Sequence, residues 1–193
     1  MITYFTGGPP HLYKYLAMPR EGDADGESRI RDILVGHNLF FSDPESYDDP
    51  YDRLPETPSA VLCLTKHRDS AMMWRNYADR HTGFVLRFVT RDPLIAEALP
   101  VEYSVSRPGG KDMPRKSRDW KYEDEYRIVR PGKPAASVPF NPAALTGVIF
   151  GIRMAEADKA RLRRWCAEGG LNVTFYQARD DQKSFPVIVD EAG

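Results

Sequence analysis

Asp119 to Arg130 reads D-W-K-Y-E-D-E-Y-R-I-V-R and holds the densest chemistry in the chain. Two carboxylates, Glu123 and Glu125, stand two residues apart where a strand through Tyr126, Ile128 and Val129 is expected to begin. Side chains alternate along a strand, so Glu123, Glu125 and Arg127 are expected on one face and Asp124, Tyr126 and Ile128 on the other. Buried together, the two acids raise each other's pKa, with Arg127 as the compensating charge. Lining a cleft, the same row is suited to stabilising positive charge as it develops. On an open face it is a solvated row with one cross-strand ion pair. The same alternation puts Trp120 and Tyr122 opposite the acids, where they are expected to pack as anchors.

Other constellations carry less. Ser42 to Asp52 (S-D-P-E-S-Y-D-D-P-Y-D) is dense in Asp and Pro and is expected to be an ordered or functional loop. Asp43, Asp48, Asp49 and Asp52 lack the Gly-turned ladder and closing Glu of a calcium loop, so turn formation is their expected role. His11, His37, His67 and His81 form no i, i+4 pair, and no metal site is expected. Neither the Walker nor the Rossmann glycine spacing occurs, and no Ser sits in a G-x-S-x-G elbow. Trp74 and Tyr77 read as core aromatics unless their polar tips face the acids.

The elements that position these residues follow from periodicity. The 193 residues suit one domain, residues 1–193, with room for a sizeable core. Hydrophobic residues make up 41% and charged residues 28%, which sets the chain apart from disordered sequences. A net charge of −1 with interspersed signs leaves no broad nucleic-acid footprint, although Lys159, Arg161, Arg163 and Arg164 form a basic patch on one expected helix. Two cysteines, Cys63 and Cys166, read as core thiols of a reducing compartment. No apolar run approaches a membrane span, and the opening M-I-T-Y-F-T-G-G-P-P lacks the regions of a signal peptide. A cytoplasmic protein that does not engage membranes is the expectation.

Strands are expected at 11–18, 39–41, 60–65, 84–89, 101–106, 146–151, 171–176 and 185–189, besides the acidic one. A short helix carries Ile30, Ile33 and Leu34. A second runs from a cap at Asp69 or Ser70 to His81, closed by Gly83, and a third spans 155–168 before Gly169-Gly170. Ser106 to Arg118 is a basic, Gly-rich loop leading into the acids. About eight strands and three helices, mixed without strict alternation, predict an α+β fold.

Taken in order, the motifs make a pattern. Y-K-Y (Tyr13–Tyr15) is followed by F-x-D-P, D-D-P-Y-D and C-L-T, then by M-W-R-N-Y-A-D-R-H-T-G-F, K-x-x-x-W-x-Y-E-x-E-Y-R and G-V-I-F-G. This series resembles the bacterial family called domain of unknown function 2971, over Tyr13 to about Tyr176. Two departures stand out. The family usually shows Asn-Asp-Pro-Phe-Asp where this chain has Asp48-Asp49-Pro50-Tyr51-Asp52, and His-Tyr where it has Asn76-Tyr77.

The family's motif order is in turn similar to that of the ADP-ribosyltransferase superfamily. The resemblance implies two packed, mostly antiparallel small sheets forming a cleft, with about three flanking helices. It implies NAD as co-substrate and transfer of ADP-ribose to an unidentified acceptor, whether protein, nucleic acid or small molecule. Tyr13, Lys14 or Tyr15 would be the first-strand element, Thr65 the second, and Glu123-Asp124-Glu125 the third, with Glu125 the catalytic acid. Glu123 would orient or deprotonate the acceptor. Lys14, Arg75 or Arg127 would meet the pyrophosphate, and Tyr13, Tyr15 or Tyr77 would stack on nicotinamide, with Trp74 nearby in the cofactor site. A toxin or phage-defence component, with an antitoxin or immunity partner, is the biological role implied. The alternatives are a silent nucleotide- or nucleic-acid-binding domain and an NAD glycohydrolase.

Overall fold

The structure, a computed structural model, describes residues 8–47, 59–105, 115–180 and 188–192. In chain order the elements begin with β1 (His11–Leu16), α1 (Ala24–Leu34), β2 (Asn38–Phe41), β3 (Ser59–Thr65), α2 (Ala71–Tyr77) and β4 (Phe84–Val89). Three short strands follow: β5 (Leu99–Pro100), β6 (Glu102–Ser104) and β7 (Arg115–Ser117). Then come β8 (Glu125–Pro131), β9 (Ala136–Pro139), β10 (Leu145–Phe150), α3 (Glu156–Glu168), β11 (Thr174–Arg179) and β12 (Ile188–Glu191).

The fold is α+β, and its centre is one eight-stranded sheet in the order β12-β11-β10-β4-β1-β3-β8-β5. Its pairs are antiparallel except β10 with β11. β2 with β9 and β6 with β7 make two small ribbons. The two separate sheets that the resemblance implied are instead joined into one, and the joint is narrow. β1 pairs with β4 over six residues and β3 with β8 over seven, yet β1 meets β3 at the single pair Tyr13↔Thr65. Farther along β3, Ser42 exchanges both backbone hydrogen bonds with Val61, each 2.9 Å. β3 thus changes neighbours, from β1 to the tail of β2, and the sheet is split beside Tyr13.

Strand alternation gives the sheet two apolar faces. Leu12, Leu62, Leu86, Phe88, Ile128, Val148 and Phe150 pack against Ile30, Ile33 and Leu34 of α1 and Leu162, Trp165 and Cys166 of α3. Tyr13, Tyr15, Val85, Ile149 and Ala178 pack against Met73 and Trp74 of α2, with Ala78 just beyond it. Ser70 caps α2 by accepting from Met73 N. This helix is shorter than its apolar spacing predicts. It ends at Tyr77 because Asp79, Arg80 and His81 all have positive φ (41°, 55° and 71°), which no α-helix sustains. No helix among the described residues is long and apolar enough to cross a membrane.

Candidate functional site

Sequence and backbone together aim the acids. Ser117 caps a 3₁₀ turn over Arg118–Glu123 by accepting from Asp119 N at 3.4 Å. Asp124 follows in the left-handed region, φ 43° and ψ 52°, and β8 begins at Glu125. Glu123 therefore does not belong to the strand, as alternation had it, but reaches the same side from the last turn of the 3₁₀ helix. Asp124 points elsewhere: His67 Nε2 lies 2.7 Å and Lys66 Nζ 3.1 Å from its Oδ2. Aspartate is among the few non-glycine residues that tolerate this backbone. Thr65 Oγ1 donates to Glu123 O at 2.5 Å and accepts from His67 N at 3.1 Å, locking the turn onto the end of β3.

A cavity of about 340 Å³ opens where β1 and β3 part, and both acids line it. Glu123 is 3% and Glu125 5% exposed. Glu123 accepts from Tyr77 Oη and, at 2.5 Å, from Lys116 Nζ. Glu125 accepts from Arg127 Nε at 2.8 Å and Nη2 at 2.9 Å, with Lys116 Nζ at 3.4 Å. Tyr103 Oη receives its backbone N–H at 2.9 Å.

These environments drive the two acids apart. Burial pushes the Glu123 carboxyl above its ordinary value, and Lys116 and Tyr77 only partly offset it. Burial acts upward on Glu125 too, but the Arg127 guanidinium, aided by Lys116, brings it below its ordinary value. One acid is thus held ionised while its neighbour is shifted toward the protonated form. Nearby, burial lowers the Lys14 ammonium against the pull of Cys63 and Glu125. The Cys63 thiol is pushed up to about 12 by burial and by Glu125. Hydrogen bonds link Ser42 to Tyr47 (3.0 Å) and Tyr47 to the Cys63 sulfur (3.3 Å).

Of the residues singled out by sequence, Tyr13, Lys14, Tyr15, Thr65, Tyr77, Glu123, Glu125 and Arg127 all reach this cavity. Trp74 does not. It is fully buried between α2 and the sheet, its Nε1 donating to Arg68 O at 3.0 Å and its ring meeting Tyr15 edge-on at 5.2 Å. Arg127 is engaged by Glu125, since alternation sets residues two apart side by side. Alternation also sends Lys14 to the face opposite Tyr13, and its Nζ bends across the split to Cys63 O at 3.4 Å. Arg75 is exposed and Asn76 donates to Tyr122 Oη at 3.1 Å, so neither lines the cavity.

Trp120 corrects a sequence expectation. It stands on the cavity wall with Glu123, and Lys116 Nζ lies 4.8 Å from its ring centroid. In a 3₁₀ turn residues three apart eclipse, so Trp120 and Glu123 share a side that strand alternation denied them. Tyr122 does pack against the Tyr13, Tyr15 and Trp74 cluster. Lys116 and Tyr47 were missed as wall residues, although each lies in a stretch whose composition marked it; Lys116 stands on the short strand β7 where a loop was expected. Asp43 caps a short turn by accepting from Glu45 N, while Asp48, Asp49 and Asp52 lie outside the described residues.

Compared with known proteins, the chain matches no family model, no curated protein and no solved structure.

Proposed function

We propose that this chain is an NAD-using transferase of the ADP-ribosyltransferase kind, with the family resemblance resting on its own motifs. One observation carries the reading: two buried carboxylates in one cavity whose pKa values are driven in opposite directions. Such pairs divide acid–base labour between neighbouring groups. Breaking the bond between ribose C1′ and nicotinamide leaves an oxocarbenium-like centre. Glu125, held below its ordinary value by Arg127 and so favoured in its ionised form, stabilises that charge. An acceptor nucleophile then bonds to C1′, nicotinamide departs with the electron pair of the broken bond, and the acceptor's proton passes to Glu123. Tyr13, Tyr15 and Tyr77 offer ring surface for the nicotinamide and ribose. Water in place of the acceptor gives an NAD glycohydrolase. Toxin or phage-defence biology, with an antitoxin or immunity partner, is carried by the resemblance alone.

A second reading has its own observation. Both Glu125 oxygens are held by Arg127, at 2.8 and 2.9 Å, which spends much of the charge the transferase needs. That geometry suits a catalytically silent pocket for a polar, nucleotide-like ligand. An NAD-consumption assay on the purified protein, with and without cell lysate as acceptor source, separates the two. The transferase consumes NAD and releases nicotinamide; the binding pocket retains NAD unchanged.

A further inference from the structure

Beside the cavity, three arginines gather at the His11 end of β1. β3 and β4 flank β1 and both run antiparallel to it, with Thr65 and Arg87 opposite Tyr13. Both chains therefore leave the sheet at the same end, and Arg68 follows β3 there as Arg91 follows β4. Arg87 lies on the Tyr13 face, tied to Tyr176 Oη at 2.6 Å and to Thr146 Oγ1 and O at 3.0 Å each. Its guanidinium stands 4.8 Å from the Tyr176 ring centroid. Arg68 and Arg91 are exposed, and among the described residues neither side chain has a hydrogen bond or ion pair. The Arg68 backbone is nevertheless anchored, because its carbonyl accepts the Trp74 indole N–H.

The positive field reaches the surrounding groups. Burial lowers His11, and Arg87, Arg68 and Arg91 lower it further. Burial raises the Tyr13 phenol, and Arg68 and Arg87 act against that rise while Asp69 adds to it. Asp92, beside Arg91, is buried and occupied in accepting from Leu94 N and Ile95 N. The shelf is thus cationic, and Tyr13 is the wall it shares with the cavity.

We propose that Arg68 and Arg91, on the ground prepared by Arg87, bind phosphate groups of a ligand that runs from the cavity past Tyr13. Guanidinium is the side chain matched to phosphate oxygens, two hydrogen bonds at a time. The phosphates belong either to a nucleotide pyrophosphate or to a nucleic-acid backbone, two sources of one chemistry. This site stands independently of the transferase reading.

The test is titration of the full chain with two probes, ADP and a short fluorescently labelled single-stranded oligonucleotide. The parent is compared with Arg68→Ala/Arg91→Ala, and with Arg164→Ala on α3 as a remote loss of charge. The parent is expected to bind at least one probe, with Kd rising on the order of tenfold or more in the double variant and unchanged in Arg164→Ala. A loss confined to ADP names a nucleotide pyrophosphate. A loss confined to the oligonucleotide, with a shallower salt dependence, names a nucleic acid. A loss for both names the phosphate chemistry they share. Equal Kd values in parent and double variant, or no binding of either probe by the parent, overturn the proposal. If NAD turnover is absent while the double variant still loses probe binding, the transferase reading fails and the phosphate shelf stands.

Discussion

Arg127 holds both oxygens of Glu125, Nε at 2.8 Å and Nη2 at 2.9 Å, with both side chains buried on the same strand. The pair fixes the orientation of the carboxylate and keeps it ionised. Without Arg127 the buried Glu125 carboxylate keeps only Lys116, at 3.4 Å, to set against its burial. Arg127→Met is therefore expected to cost about 3–5 kcal/mol at neutral pH. Glu125 has a depressed pKa, so its contribution is present above the ordinary glutamate value of 4.5 and is lost as pH falls through its folded value. Denaturant unfolding across pH checks this: the gap between parent and variant should be full at neutrality and narrow under acid. A gap indifferent to pH shows that the variant loses packing alone.

The two tryptophans on this side of the sheet separate packing from the cavity wall. Trp74 is fully enclosed, and Trp74→Ala is expected to cost about 3–5 kcal/mol. Trp120 is half-buried on the wall, and Trp120→Ala is expected to cost about 1 kcal/mol while altering ligand affinity. Thermal melts of both variants, read with ligand titrations, check the contrast. Equal destabilisation by the two contradicts it.

Asp124 sits at φ 43° between the acids, with His67 and Lys66 on its carboxylate. Asn and Gly accept this backbone and Ala does not, at a cost of about 1–2 kcal/mol. Asp124→Ala should be the least stable of the three variants. Asp124→Gly should fold yet lose the grip of β3's end on the acidic turn. NMR titration of the Glu123 carboxyl reads this directly: its raised pKa should survive in Asp124→Asn and fall toward 4.5 in Asp124→Gly. An unchanged Glu123 in Asp124→Gly shows that Thr65 alone holds the turn.

How much of this was legible in the sequence depended on period. Where a strand kept its alternation, as in Phe84–Val89, the expected and observed bounds coincide. Tyr13, Thr65 and Glu125 were matched by motif order, and the register joins them as neighbours on three strands. What escaped were changes of period. The 3₁₀ turn at Arg118–Glu123 moved Trp120 to the cavity, and three left-handed residues cut α2 short. The single Tyr13↔Thr65 joint also escaped, because pairing between distant strands leaves no local signal.

Glu123 has a distinct role in the proposed transfer, and its raised pKa sets where that role operates. It must be ionised to take a proton, so transfer should rise with pH through its folded value, above 4.5. Glu123→Gln should remove that limb and reduce transfer to acceptor more than hydrolysis by water. Product analysis across pH separates the two fluxes. An unaltered pH profile in Glu123→Gln assigns the limb to another group.

The most direct measurement is NAD turnover by Glu125→Gln, with NAD affinity determined alongside. Glutamine keeps the shape and removes the charge, and that charge matters once C1′ becomes cationic. Turnover should fall on the order of 10²–10³-fold while the Kd for NAD stays close to that of the parent. Full turnover in Glu125→Gln, or no turnover in the parent with NAD bound intact, contradicts the transferase and leaves the cavity as a binding site.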